Sequence, residues 1–109
     1  ILAGFSQGGA VVYQAALSYQ KPLAGLLTLS TYFATSQTIE LNEANKNIPI
    51  MIMHGTQDPV VPQALGQFAN SFLKDKAYHC DYKTYPMPHS VCAPQIKDIS
   101  VWFNQRLMS

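Results

Sequence analysis

The chain has 109 residues, room for one small domain. Apolar residues make up 48% and charged residues 12%, with a formal net charge of +1; that charged share is about half of what soluble proteins usually carry. The few basic residues are scattered, which excludes a nucleic-acid footprint and a polybasic membrane patch, and no apolar run approaches the ~18 residues of a membrane span.

So little charge predicts a piece rich in buried core, because a free-standing small domain normally dresses its surface with charge. Cys80 and Cys92 make no disulfide framework and lack metal-ligand spacing. They predict a pair of reduced thiols and a cytoplasmic setting.

Taken in chain order, Ile1 to Gly4 reads as the end of a strand and Gln7 to about Tyr19 as a helix. Ala10, Val11, Ala15, Ala16 and Leu17 make that helix apolar over most of its surface, which predicts burial. Lys21-Pro22 ends it. Leu23 to Leu29 is a second strand, and residues 31–47 form a long polar connection with a helical turn. Ile48 to Met53 is a continuous apolar run, expected of a parallel strand covered on both faces. Pro62 opens a helix, in which Leu65, Phe68, Ala69, Phe72 and Leu73 follow helical spacing. Cys80 to Tyr85 alternates as a fourth strand. Pro94 starts the last helix, with a stripe of Ile96, Ile99, Trp102, Phe103 and Leu107. Strands separated by helices predict an α/β fold with a parallel sheet, whose function collects beyond the carboxyl ends of the strands.

One polar residue stands out on that rim. Ser6 follows a strand, precedes a helix and sits in Gly4-Phe5-Ser6-Gln7-Gly8, a G-x-S-x-G pattern in its strand–turn–helix context. The sharp turn strains the central residue, the flanking glycines remove side chains that would collide, and the hydroxyl is pushed out at a helix N-terminus that favours negative charge. A plain helix cap on a tight turn uses the same residues. A phosphate loop is excluded, because no G-x-G-x-x-G and no Lys-Ser/Thr ending is present.

A nucleophilic serine needs a base, and the base a carboxylate. Of the histidines, His79 precedes the fourth strand at the wrong edge, and His54 ends the third strand with its side chain expected to bond within the turn that follows. His89, in "YPMPHSVC", lies in a loop on the strand-end face. Among the acids, Asp75, Asp81 and Asp98 fall at a helix end, a strand start and inside a helix. Asp58, in "HGTQDPVVP", lies just past the third strand. Taken singly, Asp58 also fits a turn residue and His89 a surface loop residue. Together, Ser6, Asp58 and His89 are expected on one face in the order nucleophile, acid, histidine. Val60, Val61, Tyr32, Phe33 and Met87 are expected to line the cleft, with ordinary packing as the alternative for each. Cys92 lacks a base of its own and is expected to be packed.

"LAGFSQGGA", "HGTQDPVVP", "MPHSVC" and "LAGLLTLSTYF" resemble the carboxylesterase/phospholipase family of α/β-hydrolases, which includes acyl-protein thioesterases. The resemblance covers essentially the whole chain. It implies a two-step acyl transfer on an ester or thioester by Ser6, His89 and Asp58, with the backbone N–H of Gln7 as one oxyanion donor and no metal or organic cofactor. Alternatives within the same chemistry are a thioesterase or a lysophospholipase; a different class is a non-catalytic binding or assembly piece. Members of the family are about twice as long, so residues 1–109 are expected to be a single partial domain, the C-terminal half of an α/β-hydrolase. The half expected to be absent carries a His-Gly-rich loop with the second oxyanion donor. The 109 residues alone are therefore expected to be nearly inactive. Their first strand is expected at a sheet edge, pairing with that N-terminal half or with a second copy. In "STYF", Thr31 stands where many relatives have glycine.

Overall fold

The structure, a computed structural model, describes residues 1–108. Its elements follow the expected order: β1 (Leu2–Phe5), α1 (Gln7–Ser18), β2 (Leu26–Leu29), a 3-10 turn (Glu43–Asn45), β3 (Ile50–Gly55), α2 (Gln63–Asp75), β4 (Cys80–Tyr85) and α3 (Ala93–Leu107). The strands form one parallel sheet in the order β1-β2-β3-β4, with β1 and β4 at its edges. Crossovers of one hand that step in one direction must lie on one face. Tyr13 of α1, Ile48 of the long connection and Ala69 and Leu73 of α2 accordingly share a core with Leu26, Ile50 and Ile52. The alternate residues Leu27, Met51 and Met53 face the other way, toward Trp102 of α3. The result is an α/β/α sandwich in which β3 is buried along its whole length. Among the described residues no helix is long and apolar enough to cross a membrane.

Several boundaries differ from the sequence reading for identifiable reasons. β2 starts at Leu26 rather than Leu23, because the Leu23 N–H donates to the side chain of buried Asn45 (2.8 Å) instead of to a neighbouring strand. The same Asn45 amide donates to the carbonyls of Tyr19 and Lys21, closing the end of α1. β3 starts at Ile50, after Pro49, which has no N–H for a ladder, and runs on through His54 and Gly55, which pair with Thr84 and Tyr85. The expectation that α1 is buried over most of its surface is corrected. Gly9, Tyr13, Ala16 and Leu17 are buried, whereas Ala15 is exposed and Val11 is 61% exposed. The apolar stripes of α2 and α3 are likewise only partly covered: Leu65, Phe68, Ile96 and Leu107 are exposed.

The glycines around Ser6 divide in the same way. A Cβ on Gly4 would lie 2.3 Å from the Gly8 carbonyl oxygen, so β1 and α1 touch backbone to backbone there. A Cβ on Gly8 would meet nothing within 4 Å, while one on Gly9 would strike the Thr31 side chain at 2.4 Å. Close packing therefore requires glycine at 4 and 9, and the expectation that Gly8 avoids a collision is corrected. Gly4→Ala is expected to destabilise the chain by about 1–3 kcal/mol through overpacking. Gly8→Ala, inside a helix with open space beside it, is expected to stabilise it by about 0.5–1 kcal/mol. Denaturant unfolding of the two variants checks both signs.

Candidate active site

Parallel pairing brings the C-terminal ends of all four strands to one rim. Ser6 leaves β1 with φ 56° and ψ −123°, a region that costs a non-glycine residue of order 1–3 kcal/mol. The surroundings over-determine it. Its N–H donates to Leu29 O (2.9 Å), and its carbonyl accepts from Gly9 N (2.9 Å), from Ala10 N (3.3 Å) and from the Thr31 hydroxyl. The Ser6 side chain makes no capping bond. Its Oγ lies instead 3.0 Å from His89 Nε2. The helix-cap alternative thus has no hydrogen bond to support it.

His89 is carried by the loop after β4, and its Nδ1 lies 2.7 Å from Asp58 Oδ2. A carboxylate only accepts, so Nδ1–H donates to Asp58 and the Nε2 lone pair is left to accept the Ser6 hydroxyl proton. The Phe5 ring packs at 4.9 Å against the imidazole. Asp58 is buried, and its other oxygen, Oδ1, accepts from the backbone N–H groups of Val60 (2.9 Å) and Val61 (2.8 Å). Burial opposes ionisation of this carboxyl, but the bond from His89 and the two amides outweigh it and hold the group below its ordinary range.

Gly55 lets the acid and histidine loops meet. A Cβ there would lie 2.3 Å from Met87 O and 2.7 Å from Pro88 O, so the backbone leading to His89 passes directly over the end of β3. Gln57 N donates to Met87 O (3.1 Å) and Thr56 N to Tyr85 O (2.8 Å), tying the two loops together. Gly55 is not among the site residues expected from sequence, and Thr31 is noted there only as a departure from the glycine of many relatives. The signal for Gly55 was its place between a strand and the Asp58 loop. Thr31 occupies the notch left by Gly9, a contact between residues 22 apart that no local pattern announces.

The expected cleft residues do not stay together. Val60 is 65% exposed and Tyr32 is half-buried at the surface. Phe33, Val61 and Met87 are corrected: all three are buried. Phe33 stacks on Tyr13 at 4.6 Å and meets Phe72 edge-on. Met87 packs beside Trp102 in the α3-side core, and Val61 serves the Asp58 loop through its backbone. Each follows the alternative of ordinary packing, because its side chain points inward from a loop whose backbone lies at the rim. Gln7 is the first residue of α1, where helical N–H groups lack intrahelical partners. It also opens an apolar groove of about 430 Å³ lined by Ala10, Val11, Gln14, Tyr32 and Thr35 among others. Cys92 is half-buried at the N-cap of α3, and burial pushes the Cys80 thiol up to about 11.

Known proteins resemble this chain in sequence and in fold. The family model described as Phospholipase/Carboxylesterase matches residues 1–106. Acyl-protein thioesterase 1 of Gibberella zeae is 35% identical over 112 residues, covering 98% of this chain and 48% of the relative. Carboxylesterase SOBER1 of Arabidopsis thaliana is 38% identical over 109 residues, covering 97% and 48%. The crystal structure of SOBER1 superposes with a TM-score of 0.87 at 35% identity, over 96% of this chain and 51% of that one. The chain thus spans about half the length of the curated relatives it matches.

The depressed Asp58 value has a direct consequence for stability. A carboxyl held below its unfolded value of about 3.9 contributes fully above that pH, and its contribution drains away as pH falls through the folded value. Thermal unfolding from pH 7 down to pH 2 is expected to show wild type and Asp58→Asn well separated at the top and converging at the bottom of that range.

Proposed function

The chain belongs to the phospholipase/carboxylesterase family of α/β-hydrolases, and from that premise we propose that it carries the Ser-His-Asp machinery of a serine hydrolase that cleaves carboxylic esters. The observation that supports the reading is the unbroken line from Ser6 Oγ to His89 Nε2 (3.0 Å) and from His89 Nδ1 to Asp58 Oδ2 (2.7 Å). His89 Nε2 takes the Ser6 proton as Oγ attacks the acyl carbonyl. Asp58 keeps the imidazole in the tautomer that leaves Nε2 free, and stabilises the imidazolium that forms. The Gln7 N–H faces the developing oxyanion at the positive end of α1. Collapse expels the alcohol, which leaves with the proton from His89. Water then attacks the acyl carbon as His89 takes its proton; the acyl–Oγ bond breaks, the acid leaves, and His89 returns the proton to Ser6 Oγ.

The groove that opens at Gln7 is apolar along Ala10, Val11 and Tyr32, which suits an acyl chain better than a charged group. That lining, and the thioesterases among the relatives, favour one alternative with the same chemistry: a thioester or lysophospholipid as substrate. Free Cys80 and Cys92 support a cytoplasmic setting.

The family resemblance implies a second oxyanion donor from a His-Gly-rich loop in the part of the relatives that this chain does not cover, and the Gln7 N–H is the donor we assign among the described residues. β1 lies at a sheet edge with Phe5 40% exposed. We place the N-terminal half of the hydrolase domain, or in its absence a second copy, along that edge. Light scattering is expected to show self-association of the isolated 109 residues, and a monodisperse, stable monomer would refute this pairing.

A fluorophosphonate is expected to label the chain at Ser6. Labelling is expected to vanish in Ser6→Ala and to fall by about 10²-fold or more in His89→Ala. A folded chain that stays unlabelled would favour a binding or assembly role instead. Turnover of p-nitrophenyl acetate is expected to be about 10²–10³ slower than by a full-length relative such as SOBER1, the effect of one missing oxyanion donor. Equal rates would show that one donor suffices.

A further inference from the structure

His54 is fully buried and stands outside the line of proton transfer, yet its ring reaches the acid loop from below. Its Nε2 lies 2.7 Å from the Val61 carbonyl and 3.7 Å from Asp58 Oδ2. Val61 is the residue whose N–H donates to Asp58 Oδ1. A carbonyl only accepts, so the hydrogen sits on Nε2 and points into the Asp58–Val61 turn. The opposite nitrogen, Nδ1, is buried without a hydrogen-bond partner and faces α2, where a Cβ on Gly66 would lie 2.7 Å away. A leucine would fill this space without leaving an unsatisfied nitrogen, so packing alone does not account for the imidazole.

We propose that His54 is the positioning residue for Asp58, a role that rests on the serine-hydrolase reading above. Its Nε2–H fixes the Val61 carbonyl, which orients the peptide groups whose amides grip Oδ1. The same N–H lies close enough to Oδ2 to bias that oxygen toward His89 Nδ1. The imidazole is held rigidly because β3 carries its backbone and Gly66 lets α2 press against the ring. His54 touches no substrate; it sets where the carboxylate stands.

The test compares three substitutions in the 109-residue chain. Gln at position 54 can present an N–H near the place of Nε2; Asn is polar but too short to reach Val61 O; Leu fills the space without a donor. The readouts are the rate of fluorophosphonate labelling at Ser6 and the downfield proton resonance of the His89–Asp58 hydrogen bond. Circular dichroism melts confirm that each variant is folded. His54→Asn and His54→Leu are expected to lose that resonance and to label about 10- to 100-fold more slowly, the range for a displacement near 1 Å. His54→Gln is expected to recover both. If Leu prevents folding, the Asn and Gln pair decides the matter, since both bury an amide and differ in reach. Gly66→Ala, which drives a methyl toward Nδ1, is expected to weaken labelling in the same way. Labelling at the wild-type rate in folded His54→Asn, or no recovery in His54→Gln, would overturn the role of His54 and leave the hydrolase reading intact. Undiminished labelling of Ser6→Ala would overturn both.

Discussion

The parallel register of the sheet is the constraint on which the site depends. Phe5, Leu29, Met53 and Lys83 fall in one row across the four strands; β1 and β2 end at that row and β3 and β4 run together two residues past it, so the segments that follow all leave from the same rim. Ser6, the Ser30-Thr31 corner, the His54–Asp58 segment and the His89 loop are far apart in sequence and become neighbours for that reason alone. A slip of two residues in any strand would keep its inward face and still carry its loop about 7 Å away from the rest. The register is defended by burial on both sides: Leu26, Ile50 and Ile52 face α1 and α2 while Leu27, Met51 and Met53 face α3.

On that rim, backbone packing does the positioning and leaves the Ser6 hydroxyl and the His89 ring free to meet each other. The Ser6 peptide is held at a disfavoured φ by bonds at its N–H and its carbonyl, so the hydroxyl needs no structural partner. Asp58 has one oxygen committed to two amides and the other to His89. This division matters electrostatically. A buried carboxylate is costly unless its lone pairs are met, and here the Val60 and Val61 amides and the His89 ring meet it.

Much of this was legible in the residues. The strand–helix order followed from alternating apolar periodicities, and Ser6, Asp58 and His89 could be put on one face because each follows a strand. What failed has one common cause. Periodicity reports that a residue is apolar, and it does not report whether another element comes to cover it. Val11, Ala15, Phe68 and Ile96 follow helical spacing and are exposed, while Phe33 and Met87, on loops near the site, turn inward to the core. Gly8, which completes the local motif, has open space around it, whereas Gly9 is required by a threonine 22 residues away.

The sequence by itself determined the order of elements, the parallel sheet they imply and the chemical types present at its carboxyl end, because hydrophobic period, turn residues and strand-to-helix corners are local properties. The tertiary structure alone decided the atoms: which oxygen of Asp58 meets His89, which nitrogen of His89 meets Ser6, and that a buried His54 stands beneath the acid. Those outcomes depend on close approaches between segments tens of residues apart, such as Met87 over Gly55 and α2 against His54. A separation measured in tenths of an ångström between such segments has no counterpart in the linear order of residues.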